Sequence, residues 1–117
     1  MSWYDAAAVK VIKGVMRVKL MQNLFIDSEN DPVFIKMKTY VTPYETEEIF
    51  CAENKYARTR RFLRYITKRM NTEAFANLLS ALEHMPILQK ELLQSYITEG
   101  GDPRVSSSIG DGIILDK

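Results

Sequence analysis

The chain predicts an all-α protein, a six-helix antiparallel bundle. Three observations carry this. Apolar residues recur at three- and four-residue steps over most of the first hundred positions, the period of one helix face. Cap and proline pairs such as Asp31-Pro32 and Thr42-Pro43 open new segments. The segments they delimit are joined by short connections. A chain of 117 residues is read as one domain, large enough to bury about 60–70% of its unfolded surface without staples.

The first helix is expected from Trp3 to about Asp27, with Ala7, Val11, Val15, Val18, Leu20 or Met21, and Leu24 facing inward. Ser2 with Asp5 resembles a capping box. Gly14 interrupts the pattern, and a helix-interior glycine costs about 1 kcal/mol relative to alanine, so the helix is expected to bend, kink or break near Gly14. Asp31-Pro32 starts a second helix whose apolar face is Val33, Met37, Tyr40 and Val41. The third begins at Thr42-Pro43-Tyr44-Glu45, where Thr42 can cap and Glu45 can reach back to the Thr42 amide, and ends near Cys51. The fourth runs from Lys55 to Arg69 with Thr59, Phe62, Leu63, Ile66 and Met70 inward. Asn71 or Thr72 caps a fifth helix that turns Phe75, Leu78, Leu79 and Leu82 inward. Pro86 breaks that pattern. A sixth helix then presents Ile87 or Leu88, Leu92, Leu93 and Tyr96, and Gly100-Gly101 ends it. The bundle is therefore assigned to residues 1–98. Residues 99–117, rich in Gly, Ser and Asp, read as a flexible tail or linker, which favours the expectation of a fragment, such as a prodomain, over a full protein without deciding between them.

Composition narrows the function classes. With 46% hydrophobic and 26% charged residues the balance is that of a globular domain. No apolar run reaches membrane-spanning length, and the opening residues lack the basic head and apolar centre of a signal peptide. The single Cys51 rules out an internal disulfide, so a reducing, cytoplasmic setting is expected. A metal site is not expected, because zinc sites gather several Cys and His; Cys51 is read as a buried or half-buried thiol. His84 is the one histidine, placed near the end of the fifth helix where a cation suits the dipole. Asp27, Glu29 and Asp31 have the opening spacing of a calcium loop, but Pro32 stands where that loop needs Gly and Lys38 where it needs its bidentate Glu. Nothing marks an acid–base couple or a phosphate-binding loop. An enzyme is not expected, and no cofactor is implied.

What remains is charge layout. Residues 54–70 carry seven basic side chains and no acid, whereas residues 27–53 carry seven acids against Lys36 and Lys38; yet the whole chain sums to +1. On a helix, Arg58, Arg60, Arg61, Arg64, Tyr65, Lys68 and Arg69 fall on the flanks and outer face. Like charges one turn apart repel by a few tenths of a kcal/mol, and solvated faces usually mix signs. Two functional readings follow. A basic helix with Tyr56 and Tyr65 could lie along phosphates, making the chain a nucleic-acid-binding helical bundle. The acidic segment favours the other, an acidic protein partner, because it would repel nucleic acid and supply the complement for a head-to-tail contact between like domains. A purely structural bundle is the third reading.

The order of these features resembles the caspase recruitment domain (CARD), a member of the death-domain-fold superfamily, over about residues 9–97. The matching steps are Val41, Thr42, Glu45 and Ile49; Arg58 or Arg60 with Phe62 and Leu63; and Ala74, Phe75, Leu78, Ala81 and Leu82. Each step is weak alone; together, in order and spacing, they are specific. The chain departs from the pattern at Trp3-Tyr4, at Pro86 and at Glu83-His84-Met85, which lacks the common glycine. The resemblance implies binding rather than catalysis: apoptotic or innate immune signalling through docking on another CARD, that of an initiator caspase or of an apoptosome- or inflammasome-type adaptor, with homotypic self-assembly as a further possibility. Carried over by residue, the basic face of the first and fourth helices is Lys10, Lys13, Arg17, Arg58, Arg60, Arg61 and Arg64. The acidic face of the second and third is Asp27, Glu29, Asp31, Glu45, Glu47 and Glu48. Asp111, followed by Gly112, would be a caspase cut in the tail, against the plainer reading as linker.

Overall fold

A helix survives in a small protein only where its ends are satisfied and one face is buried, and both conditions can be followed along this chain. The computed structural model describes residues 4–109, with side chains through 106. Helix α1 spans Ala6–Lys13 and is capped by Asp5, whose carboxylate accepts from the Ala8 amide. Asp5, expected as the far member of a capping box with Ser2, is thus itself the cap; Ser2 lies outside the described residues. Helix α2 spans Arg17–Asn23. Of the bend or break expected near Gly14, the structure has the break. Across it the Met16 amide donates to the Val11 carbonyl and the Arg17 amide to that of Gly14, so one bond is longer and the next shorter than the regular i to i−4 step. This slips the phase of the apolar stripe. Met16 and Leu20 are buried, whereas Val15 and Val18, expected inside, are exposed.

Asp31 caps α3, Pro32–Met37, through the Val33 amide, and a 3₁₀ turn, Lys38–Tyr40, carries the chain onward. Phe34 is fully buried here, a core residue that the stripe of Val33 and Met37 did not include; Tyr40 and Val41 pack half-buried against the core. Helix α4, Pro43–Phe50, opens with the complete capping box: the Glu45 amide donates to the Thr42 hydroxyl at 3.1 Å, and the Thr42 amide donates to the Glu45 carboxylate at 3.0 Å. Helix α5, Lys55–Thr67, is capped by Asn54 and buries Thr59, Phe62, Leu63 and Ile66. Helix α6, Thr72–Ala81, is capped by Asn71. Helix α7, Pro86–Thr98, turns Leu88 inward and leaves Ile87 exposed. It ends in a Schellman motif: the Gly101 amide reaches the Tyr96 carbonyl, the Gly100 amide that of Ile97, and Gly100 takes φ 91°, a left-handed conformation that favours glycine.

These helices share one apolar core. α3 packs on α6, α4 on α5 and α1 on α7. Phe34 meets Phe50 edge-on at 5.0 Å, and Phe75 stacks on Tyr96 at 4.2 Å. The radius of gyration, 13.5 Å, is that of a single compact domain. The described residues are all-helical; α1 and α2 together occupy the place of the single first helix that the sequence predicts.

The segment read as a loose tail from residue 99 behaves differently over its first part. Pro103–Ile109 forms a 3₁₀ segment against α6, and Val105 is buried in the common core. A partly buried tether holds it. The Tyr96 hydroxyl donates to the Asp5 carboxylate and accepts from the Asp102 amide at 3.0 Å, and Asp5 also accepts from Thr72 at 2.8 Å. Asp111 lies outside the described residues.

Candidate functional site

The basic helix α5 is the place to begin, because its two flanks have different fates. At about 100° per residue, Arg58, Arg61, Tyr65 and Arg69 share one flank, and Arg60, Arg64, Thr67 and Lys68 the other. On the first flank the guanidinium groups are structural. The Arg58 Nε donates to the Ile26 carbonyl at 2.9 Å, next to a buried bond from Thr59 to the Leu24 carbonyl. Arg61 donates to the Glu48 carbonyl and touches the Cys51 sulfur at 3.4 Å. Arg69 makes a bidentate pair with Glu45, at 2.7 and 3.1 Å, and donates also to the Tyr40 carbonyl. This flank uses its charges to hold the chain segments that pack beside it, the fork geometry of arginine suiting it to carbonyl and carboxylate acceptors.

Glu45 is correspondingly withdrawn from the surface. Its side chain is 7% exposed, and Lys68 approaches it at 3.6 Å. Burial pushes its carboxyl up, but the Arg69 hydrogen bonds, the Thr42 amide and the charges of Arg69 and Lys68 outweigh that and hold it below its ordinary value. Of the residues grouped as an acidic face, Asp27, Glu29 and Glu47 are exposed. Glu48 is half-buried, and Asp31 is half-buried in its role as the α3 cap. The segments bearing them are fastened beside the amino-terminal half of α5 through the Ile26 and Glu48 carbonyls.

The second flank faces α1 and α2. There Lys13 from α1, Arg17 from α2, Arg60 and Arg64 from α5, and Lys68 at its carboxy-terminal cap surround a groove of about 560 Å³ with no acidic side chain in its lining among the described residues. Tyr4 stands on its wall and Val9, Ile12, Met21 and Leu63 line it. Among the described residues Lys13, Arg17, Arg60 and Arg64 form no ion pair, and all four are exposed. Arg64 lies over the Tyr65 ring at 5.3 Å. Two of these placements are locally unfavourable. Arg17 opens a helix that lacks any side-chain cap, where a cation opposes the dipole by about 0.3–1 kcal/mol. Arg60 and Arg64 are like charges one turn apart, repelling by a few tenths of a kcal/mol. Each penalty is small, but both have the same sign, and a site that violates local preference is where function is expected.

Of the seven cations grouped as one basic face, the structure brings together Lys13, Arg17, Arg60 and Arg64. Lys10 points elsewhere and pairs with Glu99 at 3.1 Å, and Arg58 and Arg61 sit on the opposite flank. Lys68 joins the groove; its i to i+4 spacing from Arg64 could have found it. The Cys51 thiol, expected to be buried or half-buried, is exposed at the end of α4. His84 is exposed in the turn after α6. No group of three His, Cys, Asp or Glu that could hold a metal occurs among the described residues, and no helix of these residues is long and apolar enough to cross a membrane. No protein-family model matches the chain, and neither a curated protein nor a solved structure is similar to it.

Proposed function

We propose that the chain is a protein-protein interaction module of the caspase-recruitment type, docking an acidic face of another such domain onto the groove between α1, α2 and α5. The observation that carries this is the convergence of Lys13, Arg17, Arg60 and Arg64, from three helices separated in sequence, around a concave lining that contains no acid among the described residues. Opposite charge steers encounter and fixes register, and arginine pairs with carboxylates through two parallel hydrogen bonds. The basic face is narrower than the family resemblance implies: Lys13, Arg17, Arg60, Arg64 and Lys68. The acidic counterpart on a like domain is Asp27, Glu29 and Glu47, with Glu48 at its edge. The acids lie in the loop before α3 and on α4, beside the flank of α5 away from the groove, so a contact between copies is heterologous and builds a ring or a helical filament.

The apolar lining favours protein over nucleic acid, because a phosphate backbone makes little use of Val9, Ile12 and Met21. The exposed acids beside α5 add repulsion against a polyanion. In this reading the module recruits an initiator caspase or an adaptor in apoptotic or innate immune signalling, in the reducing cytoplasm, and performs no chemistry of its own.

Sedimentation velocity on the full chain tests the proposal. Arg64→Glu abolishes concentration-dependent self-association, and Lys10→Glu, which breaks only the pair with Glu99, preserves it. Unchanged association in Arg64→Glu removes the groove from the docking surface. Tight, steeply salt-dependent binding to random-sequence DNA would replace the proposal with the nucleic-acid reading.

A further inference from the structure

The groove has more than charge. It is concave, its volume of about 560 Å³ lies within the range of small-ligand pockets, and its apolar lining is rimmed by cations. A ligand that uses both has a compact, multiply charged anionic part joined to an apolar or planar body. We infer that the groove binds a phosphorylated organic anion of the nucleoside triphosphate class, its phosphates on Arg17, Arg60 and Arg64 and its ring system against Ile12, Met21 and Leu63.

The geometry supports each half. Arg60 and Arg64 stand one turn apart on α5, and Arg17 lines the same groove from α2, so the guanidinium forks come from two elements. Such forks suit bidentate phosphate contacts. Lys13 adds charge from the last turn of α1. Lys68 is only loosely engaged, 3.6 Å from Glu45 with its side chain 58% exposed, and can swing to a phosphate while Arg69 keeps the bidentate pair. Ile12 and Leu63 are buried members of the core, which makes the floor a rigid surface rather than a collapsible one. Neutralising four cations that form no ion pair among the described residues reduces their mutual repulsion, so occupancy stabilises the fold. The inference uses the groove of the docking proposal but does not depend on it; an occupied groove would be closed to an acidic partner.

Calorimetric titration of the full chain, alone and at low salt, with ATP and separately with inorganic tripolyphosphate provides the test. ATP binds saturably and about tenfold more tightly than tripolyphosphate, the difference coming from the ring on the apolar floor. Arg60→Ala/Arg64→Ala weakens ATP by about tenfold or more, and Lys10→Ala leaves it within about twofold. Circular dichroism confirms that the variants are folded. Absence of saturable heat with ATP, equal affinity for tripolyphosphate, or an unaffected double variant overturns the inference. Vesicles containing a phosphorylated inositol lipid separate a headgroup from a soluble ligand: recruitment to them without ATP binding overturns the assignment as well. Because no second copy or partner is needed, these outcomes are read independently of self-association.

Discussion

Replacing Glu45 by alanine should be among the most damaging single changes to the surface-derived charges of this protein, even though the sequence presents Glu45 as one acid in an exposed row. Its carboxylate closes the α4 capping box through the Thr42 amide and receives both Arg69 nitrogens. Removing one partner of a fully buried ion pair costs about 3–5 kcal/mol. Arg69 is 38% exposed, so water recovers part of that for the stranded guanidinium; the lost cap adds about 1 kcal/mol. The net expectation is a loss of about 2–4 kcal/mol, or about 8–15 °C in Tm, read by urea and thermal unfolding at neutral pH. Glu45→Gln keeps an acceptor for the Thr42 amide and loses only the charge, at about 1–2 kcal/mol. The pH dependence has a definite sign. The folded carboxyl is held below its unfolded value near 4.5. Its contribution is therefore complete above that value and is lost as pH falls through the lower folded one. Glu45→Gln should flatten that acid limb. A Glu45→Ala protein within about 0.5 kcal/mol of the parent would refute the reasoning, because it would mean that the pair and the cap together contribute nothing net.

Gly14→Ala would stabilise an ordinary helix interior by about 1 kcal/mol, but here the new Cβ would meet the Lys10 carbonyl oxygen at 2.8 Å; the substitution should instead lower urea stability by about 1–2 kcal/mol, which a gain in midpoint would contradict. The Tyr96 phenol is pushed up to about 12, by burial first and then by its bond to the Asp5 carboxylate; stability is full below the unfolded value of about 10 and falls as pH rises from there, and Tyr96→Phe should lessen this alkaline loss while costing about 1–2 kcal/mol at neutral pH. The exposed Cys51 thiol should label with a small aromatic disulfide reagent at native pH, giving one equivalent per chain without unfolding; protection until denaturant is added would show that the thiol is covered.

The local features of this fold are legible from the residues alone. Thr42, Pro43 and Glu45 announce the start of α4 because a capping box is satisfied within four residues, and the caps Asp31 and Asn71 mark the starts of α3 and α6. The inward face of α5 is likewise periodic and unbroken. What could not be read is whatever depends on a partner far along the chain. The phase slip at Gly14 moves burial from Val15 and Val18 to Met16, and no periodicity count survives a change of phase within the window. Glu45 and Arg69 are equally charged on paper with Glu47 and Arg64; only the fold pairs the first two and leaves the others in solvent. The same holds for the division of the basic helix, since the carbonyls that anchor Arg58 and Arg61 belong to residues 26 and 48. Val105 sits in a polar, glycine-rich stretch whose composition gives no sign of burial, and it is held by contacts centred on Tyr96 and Asp5.

A charge-swap measurement bears most directly on the docking surface. Arg64→Glu retains its acids and Glu47→Lys retains its groove, so each alone should stay monomeric in sedimentation velocity, with self-association weakened about tenfold or more. Mixed in equal amounts they should associate again, because the acidic face of the first fits the groove of the second and the two reversed charges are themselves opposite in sign. Variants that assemble like the parent, or a mixture that stays monomeric while the parent assembles, would contradict the assignment of the groove as the basic half of the contact.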